Sequence, residues 1–496
     1  MTAVHDQSPA GTNSTHPPTS PDLYSYDLAP TKREGRRWGA YNVFTLWGND
    51  VHSLGNYAFA IGLFALGMSV WDILLSFVLA SALLFLLLTL SGYMGHKTGV
   101  PFPVMSRISF GIKGAQIPAV VRGAVAIAWF GIQTYLAANV LRTLLKAMFP
   151  GLASLDGNSL LGLSTLGWIT FLALWALQVL LVSYGMHVIR RYMAFAAPTI
   201  LITMTVLAVW MFFRSGGSIA MSTGHAPTGG AKFLHIFENA ALWVVIYGTF
   251  VLNFCDFTRS AKSRGAIVRG NLIGIPVNML FFAGIVVVLS GAQFKLNGKV
   301  ITSPTDIVQT VPNMVLLAAA SLALIVLTVA VNLLANFVAP IYVLVNLFPR
   351  KLNFRRAGLV SAIIGLVILP WNLYNNPTVV NYFLGGLGAL LGPVFGVVMA
   401  DYWLIRKTRV NVPALYTQDP EADYFYRGGF NVRAIGAFVP AAVIAVVIAL
   451  VPFFSTVSGF SWFFGAGIAA LVYLAVADRD RPAQDVDGEP LAVAAE

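Results

Sequence analysis

Trp129 and Gln133 stand four residues apart in the apolar run AIAWFGIQTYLA. Residues at i and i+4 share a helix face, so an indole and a carboxamide would project together from one helix. The indole offers a flat stacking surface, and the amide both donates and accepts hydrogen bonds. A planar heterocycle with amide-like edges would use both at once. The same pair also fits a core tryptophan beside a glutamine bonded to a neighbouring helix. Its meaning depends on the rest of the chain.

Other polar residues interrupt apolar runs in a similar way. Asp50 and His52 fall in NVFTLWGNDVHSLGNYAFAIG, together with Gly48, Asn49, Ser53, Gly55 and Asn56. Counted from Asn42, Asp50 would lie ~12 Å along a helix rising 1.5 Å per residue. An unbroken lipid-facing helix would not carry that load. A broken helix lining a cavity would, because its carbonyls and half-helix ends are free to bind a ligand. The alternative is that Asp50 and His52 simply pair at the helix end. A second irregular run, FENAALWVVIYGTFVLNFCDFTRS, holds Trp243 and Tyr247 four apart, then Gly248, Thr249, Asn253 and Asp256. Asn332 and Asn336 share i, i+4 spacing in TVAVNLLANFVAP, as interhelical glue or as ligand contacts. Gly388, Gly392 and Gly396 form a stripe suited to close helix packing, with Pro393 as a kink.

The elements that must position these residues are membrane helices. Of 496 residues, 57% are hydrophobic and only 10% charged, against about 25% charged in a typical soluble domain. Mean hydropathy is +0.75. Runs of roughly 20 apolar residues read as transmembrane spans. Twelve are expected, near 43–67, 71–94, 119–147, 160–186, 190–213, 236–256, 268–291, 312–337, 358–375, 380–405, 434–453 and 458–477. Residues 1–38 are rich in Ser, Thr and Pro and read as a disordered tail rather than a signal peptide. Residues 478–496 read as a second tail. Cys255 is the one cysteine, so no internal disulfide is possible, no metal cluster is spelled out and no cofactor is implied.

The formal net charge of +11 is explained by topology. With the N-terminus placed inside, 25 of the 31 Lys and Arg fall on the inner side and 6 on the outer. The positive-inside rule then places both termini in the cytoplasm of a cell-membrane protein, and nucleic acid is not implied. The spans contain few ionisable groups, which makes Asp50 and His52 functional candidates. Matching irregular spans 1 and 6 are the mark of an inverted-repeat transporter. The halves are expected at 39–213 and 236–408, with two further helices in 434–477.

In combination, LWGNDVHS, NYAFAIGLFALGMS, GVPFPVMSRISFGIKGAQIPAVVRG, AWFGIQTY, CDFTRSA, NLLANFVAP, ILPWNLY and GALLGPVFGVVMADYWLIR resemble the nucleobase–cation symporter-1 family. The likeness runs over roughly residues 36 to 475. It implies an all-α polytopic membrane protein of twelve helices: the five-plus-five inverted repeat shared with the leucine transporter, plus two C-terminal helices. It also implies a carrier of nucleobases, allantoin, hydantoins or a related vitamin, an architecture that can work as a monomer. By resemblance, Trp129 stacks on the ligand ring and Gln133 bonds its edge. Tyr247 takes the place of a second aromatic that is often Trp in relatives. Asn336 and Ser53 contact the ligand, and Asn332 lies one turn before Asn336.

Sodium-coupled relatives use first-span carbonyls, here those of Asn49 and His52, and a Ser-Thr pair on span 8. This chain has Ala330 and Val331 at that pair. Sodium prefers hard oxygen ligands, which these side chains lack. A proton is therefore favoured over sodium as the co-transported cation, with Asp50 or His52 as its carrier. A thiamine- or pyridoxine-type permease and a passive channel are the alternatives. A membrane enzyme is disfavoured, since HExxH, GxSxG and a cysteine–histidine pairing are all missing.

Overall fold

The computed structural model describes residues 19–224, 228–311, 313–376, 382–479 and 484–491. Among these every regular element is helical, and the only β pairings are isolated bridges. Among the described residues nine helices are long and apolar enough to cross a membrane. They are α3 (Val70–Thr98), α4 (Gln116–Met148), α5 (Thr165–Ser183), α6 (Met186–Arg214), α9 (Arg264–Asn297), α10 (Met314–Leu347), α12 (Gly385–Ile405), α13 (Val432–Leu450) and α14 (Ser458–Val476).

The other three expected spans are interrupted. The first is split into α1 (Ala40–Asp50) and α2 (Leu54–Ala65). The sixth is split into α7 (Gly229–Ile246) and α8 (Gly248–Asn253). The ninth ends early, as α11 (Phe354–Val367). Pro370 forces this last stop: Leu369 ahead of it adopts φ 50°, and proline disfavours a helical residue before it. The tenth span was expected from residue 380. Residues 380 and 381 lie outside the described residues.

Side-chain size and capping set the long helices. Ser69 and Asp72 cap the start of α3 reciprocally, and Gly99 ends it with φ 74°. Gly392 and Gly396 bring α12 against α14, where an added Cβ would come within 2.3 Å of the Trp462 carbonyl and 2.1 Å of the Ala466 carbonyl. Gly388 has only an ordinary contact with Val245, so two members of the glycine stripe do the packing.

The tails depart from expectation. Residues 1–18, 480–483 and 492–496 lie outside the described residues, but the described parts are docked rather than disordered. The guanidinium of Arg107 donates to the carbonyls of Leu23 (2.9 Å) and Leu415 (2.7 Å) and to Asn346 Oδ1 (2.6 Å). Arg259 donates to the carbonyls of Ala29 (2.6 Å) and Asp27 (3.2 Å). Asp27 accepts from the Phe354 N–H at the start of α11 (2.8 Å). Val486 pairs with the backbone of residues 410 and 412, and Asp485 bonds Lys97. Buried guanidiniums need acceptors, and an irregular strap has carbonyls to spare. Composition marked these residues as polar without showing that anything required them.

Candidate functional site

On α4, Trp129 is partly accessible and Gln133 is buried. Gln133 Oε1 has no hydrogen-bond partner. Such an atom is costly to leave bare, which makes it a candidate for a ligand donor. α4 packs on α10, helped by an edge-on contact of Phe130 and Phe337 at 4.6 Å. In α10, residues Leu333–Phe337 wind as a π-helix, a form frequent at functional sites.

The amides of this wall are bonded to one another. The two hydrogens of Asn332 Nδ2 are shared among the Phe130 carbonyl (3.0 Å), Thr134 Oγ1 (3.0 Å) and Gln178 Oε1 (2.8 Å). Asn336 Nδ2 donates to Asn332 Oδ1 (3.0 Å). Asn336 keeps 7% exposure, whereas Asn332 and Gln178 are fully buried. Asn332 is therefore occupied by helix-to-helix bonding, the glue alternative. Gln178 was missed in the sequence, although an amide in the apolar run LALWALQVLLVS is a signal that could have found it.

A second polar cluster lies at the helix breaks. Ser53 caps α2 by accepting from the Asn56 N–H (3.2 Å). Asn56 Nδ2 donates to the carbonyls of Asp50 (3.0 Å) and Val51 (3.3 Å) and to the Tyr247 hydroxyl (3.2 Å). That hydroxyl also lies near the Asp50 carboxylate. Tyr247 sits at the α7–α8 break, buried, with its ring centroid 6.2 Å from that of Trp47. Asp50, Asn56 and Tyr247 thus form one cluster. Trp243 is core, wedged among Phe59, Phe77 and Phe282.

The structure separates the two ionisable candidates. His52 bonds Tyr57 through Nδ1 (2.6 Å) and Asn278 Oδ1 through Nε2 (3.1 Å). Asn278 Nδ2 donates to the Trp47 carbonyl (3.2 Å), so its oxygen end faces the ring. The arrangement assigns the imidazole proton to Nε2 and makes Nδ1 the acceptor. Asn49 is turned toward α6, donating to the carbonyls of Thr45 (2.6 Å) and Met193 (3.0 Å). Asp50 and His52 therefore do not pair with each other.

Arg122, which the sequence offered only as a charge for topology, ties the two clusters together. Its Nη2 donates to the Ala335 carbonyl (2.9 Å) in the π-helical turn, and its Nε to Asn253 Oδ1 on α8 (3.2 Å). Asn253 in turn donates to Asp256 (2.7 Å), which accepts the Phe102 N–H (2.6 Å). Near the candidate cation position, Ala330 and Val331 are buried, and the Thr328 hydroxyl donates to its own helix at Leu324 (2.7 Å). Among the described residues no cluster of three His, Cys, Asp or Glu could hold a metal.

Comparison with known proteins gives a consistent result. Residues 30–475 match the family described as permeases for cytosine/purines, uracil, thiamine and allantoin. An allantoin permease of Bacillus subtilis is 35% identical over 465 residues, 93% of this chain and 94% of that protein. A putative allantoin permease of Escherichia coli is 32% identical, over 92% and 95%. Among solved structures, the transporter Mhp1 in a closed conformation with bromovinylhydantoin bound superposes with a TM-score of 0.74 at 22% identity, over 91% of this chain and 95% of that one. That likeness is one of fold.

Proposed function

Because this chain belongs to the cytosine/purine, uracil, thiamine and allantoin permease family, the nucleobase–cation symporter-1 family, we propose that it imports a small planar ureide of the allantoin or hydantoin kind together with a proton. It is a multi-pass membrane transporter of the nucleobase type and not an enzyme. The finer reading is a ligand held near mid-membrane between Trp129 and Tyr247, with Gln133, Asn336 and Ser53 reading its edges. The observation that carries it is the buried, unpartnered Gln133 Oε1 one turn from the accessible indole of Trp129. An N–H of the ligand would satisfy that oxygen. A ligand unable to do so would leave it bare at ~1–3 kcal/mol. The names of the two bacterial relatives favour allantoin over pyrimidines as cargo.

Proton rather than sodium coupling is supported by Ala330 and Val331, which offer no side-chain oxygen. Asp50 is the better carrier of the two candidates, since its carboxylate lies near Tyr247 while His52 is bonded at both ring nitrogens. The architecture we propose is twelve spans: two inverted halves, 39–213 and 236–408, plus two C-terminal helices. Both chain ends would be cytoplasmic, and a single chain would do the work. Alternating access follows from rocking one helix group against the other around the site.

The test is uptake of labelled allantoin, hydantoin, uracil, cytosine and hypoxanthine in cells lacking their own carriers, at fixed sodium, with and without a protonophore. Concentrative, protonophore-sensitive uptake of allantoin or hydantoin is expected. Uptake that follows sodium and ignores the protonophore would overturn the coupling. Uptake of none would overturn the cargo.

A further inference from the structure

Asn336 can turn either its oxygen or its nitrogen toward a ligand, and the two choices select opposite chemistry. Its own surroundings leave the choice to its neighbours. Gln178 Nε2 donates to the Leu174 carbonyl (3.1 Å). A carbonyl only accepts, so the nitrogen end of Gln178 must face Leu174, and Oε1 must face away from it. Oε1 then accepts from Asn332 Nδ2 at 2.8 Å. A second anchor acts on Asn332 itself, because the same Nδ2 faces the Phe130 carbonyl at 3.0 Å. Thr134 closes the set. Its hydroxyl donates to Phe130 (2.8 Å) and accepts from Gln178 Nε2 (3.1 Å) and Asn332 Nδ2 (3.0 Å). With its nitrogen committed, Asn332 has only its oxygen to offer Asn336, and it accepts Asn336 Nδ2 at 3.0 Å. Asn336 is left with Oδ1 and one Nδ2 hydrogen, and Oδ1 is the acceptor it holds out to the ligand.

We propose that Gln178 on α5, fully buried and out of reach of any ligand, is a positioning residue that, with the Phe130 carbonyl, turns Asn336 Oδ1 toward the ligand. It thereby favours heterocycles that present a ring N–H to Asn336 Oδ1. Together with the unpartnered Gln133 Oε1, the wall offers two acceptor oxygens, which the N–H groups of an unsubstituted ureide or hydantoin ring can meet. A ring N-methylated on the edge that meets these oxygens is disfavoured. This inference rests on the reading of Asn336 as a ligand contact.

The experiment is competition binding to purified protein in liposomes, with hydantoin, its N-methylated derivatives and allantoin as probes, in wild type, Gln178→Met, Gln178→Glu and Thr134→Val. Wild type should prefer hydantoin to the derivative methylated on the reading edge by about tenfold or more, the worth of one buried hydrogen bond. Gln178→Met removes one of the two fixed acceptors that orient Asn332 and should narrow that ratio to about threefold or less. Gln178→Glu, held neutral by burial, keeps a donor and an acceptor in the same places, and the ratio should be retained. Thr134→Val, a near-isosteric change, should narrow it less than Gln178→Met and supplies the test if that variant does not fold. A purely structural role would weaken all probes alike and leave the ratio intact, which would overturn the proposal while sparing the transport reading. Wild-type protein that binds none of the probes overturns both.

Discussion

The two polar clusters around the proposed site use similar residues in opposite ways. On α4, α5 and α10, amides and a hydroxyl bond to one another and end on the backbone carbonyls of Leu174 and Phe130. At the breaks between α1 and α2 and between α7 and α8, Asn56, Asp50 and Tyr247 bond across interrupted helices. The first arrangement closes on fixed carbonyls inside long helices and is rigid. The second holds together segments that have lost helix continuity, and it can rearrange without breaking a helix. The closed network is suited to fixing which ligand is accepted, and the open one to coupling binding with movement. Arg122 spans the two, through Ala335 on one side and Asn253 on the other.

The contrast can be broken most sharply at Asp50. Asp50→Asn keeps the size and one acceptor but removes the charge, so concentrative uptake should fall to background while exchange of labelled for unlabelled substrate persists. Uptake against a gradient that survives this change would remove Asp50 from the coupling role. At the other cluster, Trp129→Ala should weaken substrate binding by roughly 10- to 100-fold, the worth of one aromatic stacking contact, at unchanged expression. Wild-type affinity in that variant, measured by equilibrium binding, would sink the stacking geometry.

A smaller effect is expected from Ala330→Ser with Val331→Thr. Supplying two hydroxyls beside the first-span carbonyls should add a sodium dependence of a few-fold, on the order of one added oxygen ligand set, read as uptake against sodium concentration at fixed pH. Strong sodium dependence in the parent protein would show that oxygen ligands come from elsewhere.

The smallest effect belongs to the docked strap at Asp27. Burial pushes the Asp27 carboxyl above the ordinary carboxylate range, opposed by the Phe354 N–H and by Arg259. A raised value in the folded state means that its contribution to docking is fully present below the unfolded value, about 3.9, and is lost as pH rises through the folded value. Asp27→Asn imitates the protonated form and should flatten the pH dependence of hydrogen exchange in residues 20–38 between pH 4 and 7. If the variant instead loosens the strap at every pH, the charged form is what docks it.

Much of this was legible from the sequence. Apolar runs located the membrane segments, since a bilayer demands them whatever their neighbours are. The polar load of NVFTLWGNDVHS identified the first span as interrupted, and the run around Tyr247 identified the sixth. The spacing of Trp129 and Gln133 marked a helix face. The order in residues 19–38 was not legible, because it depends on Arg107 and Arg259 needing acceptors where other helices bury them. Nor could the spacing of Asn332 and Asn336 say which of the two is used up internally. Four-residue spacing reports a shared face, but the bond that occupies Asn332 comes from Gln178, 154 residues away.

What the sequence by itself determined was the solvent of this protein, its helical class and the places where helices must yield to polar groups. These follow from local composition, because each residue meets lipid or water on its own account. What only the tertiary structure decided was which hydrogen-bonding valences remain free. An amide has two ends, and whether its oxygen is left for a ligand depends on every donor and acceptor packed against it, drawn here from two consecutive helices and a third far along the chain.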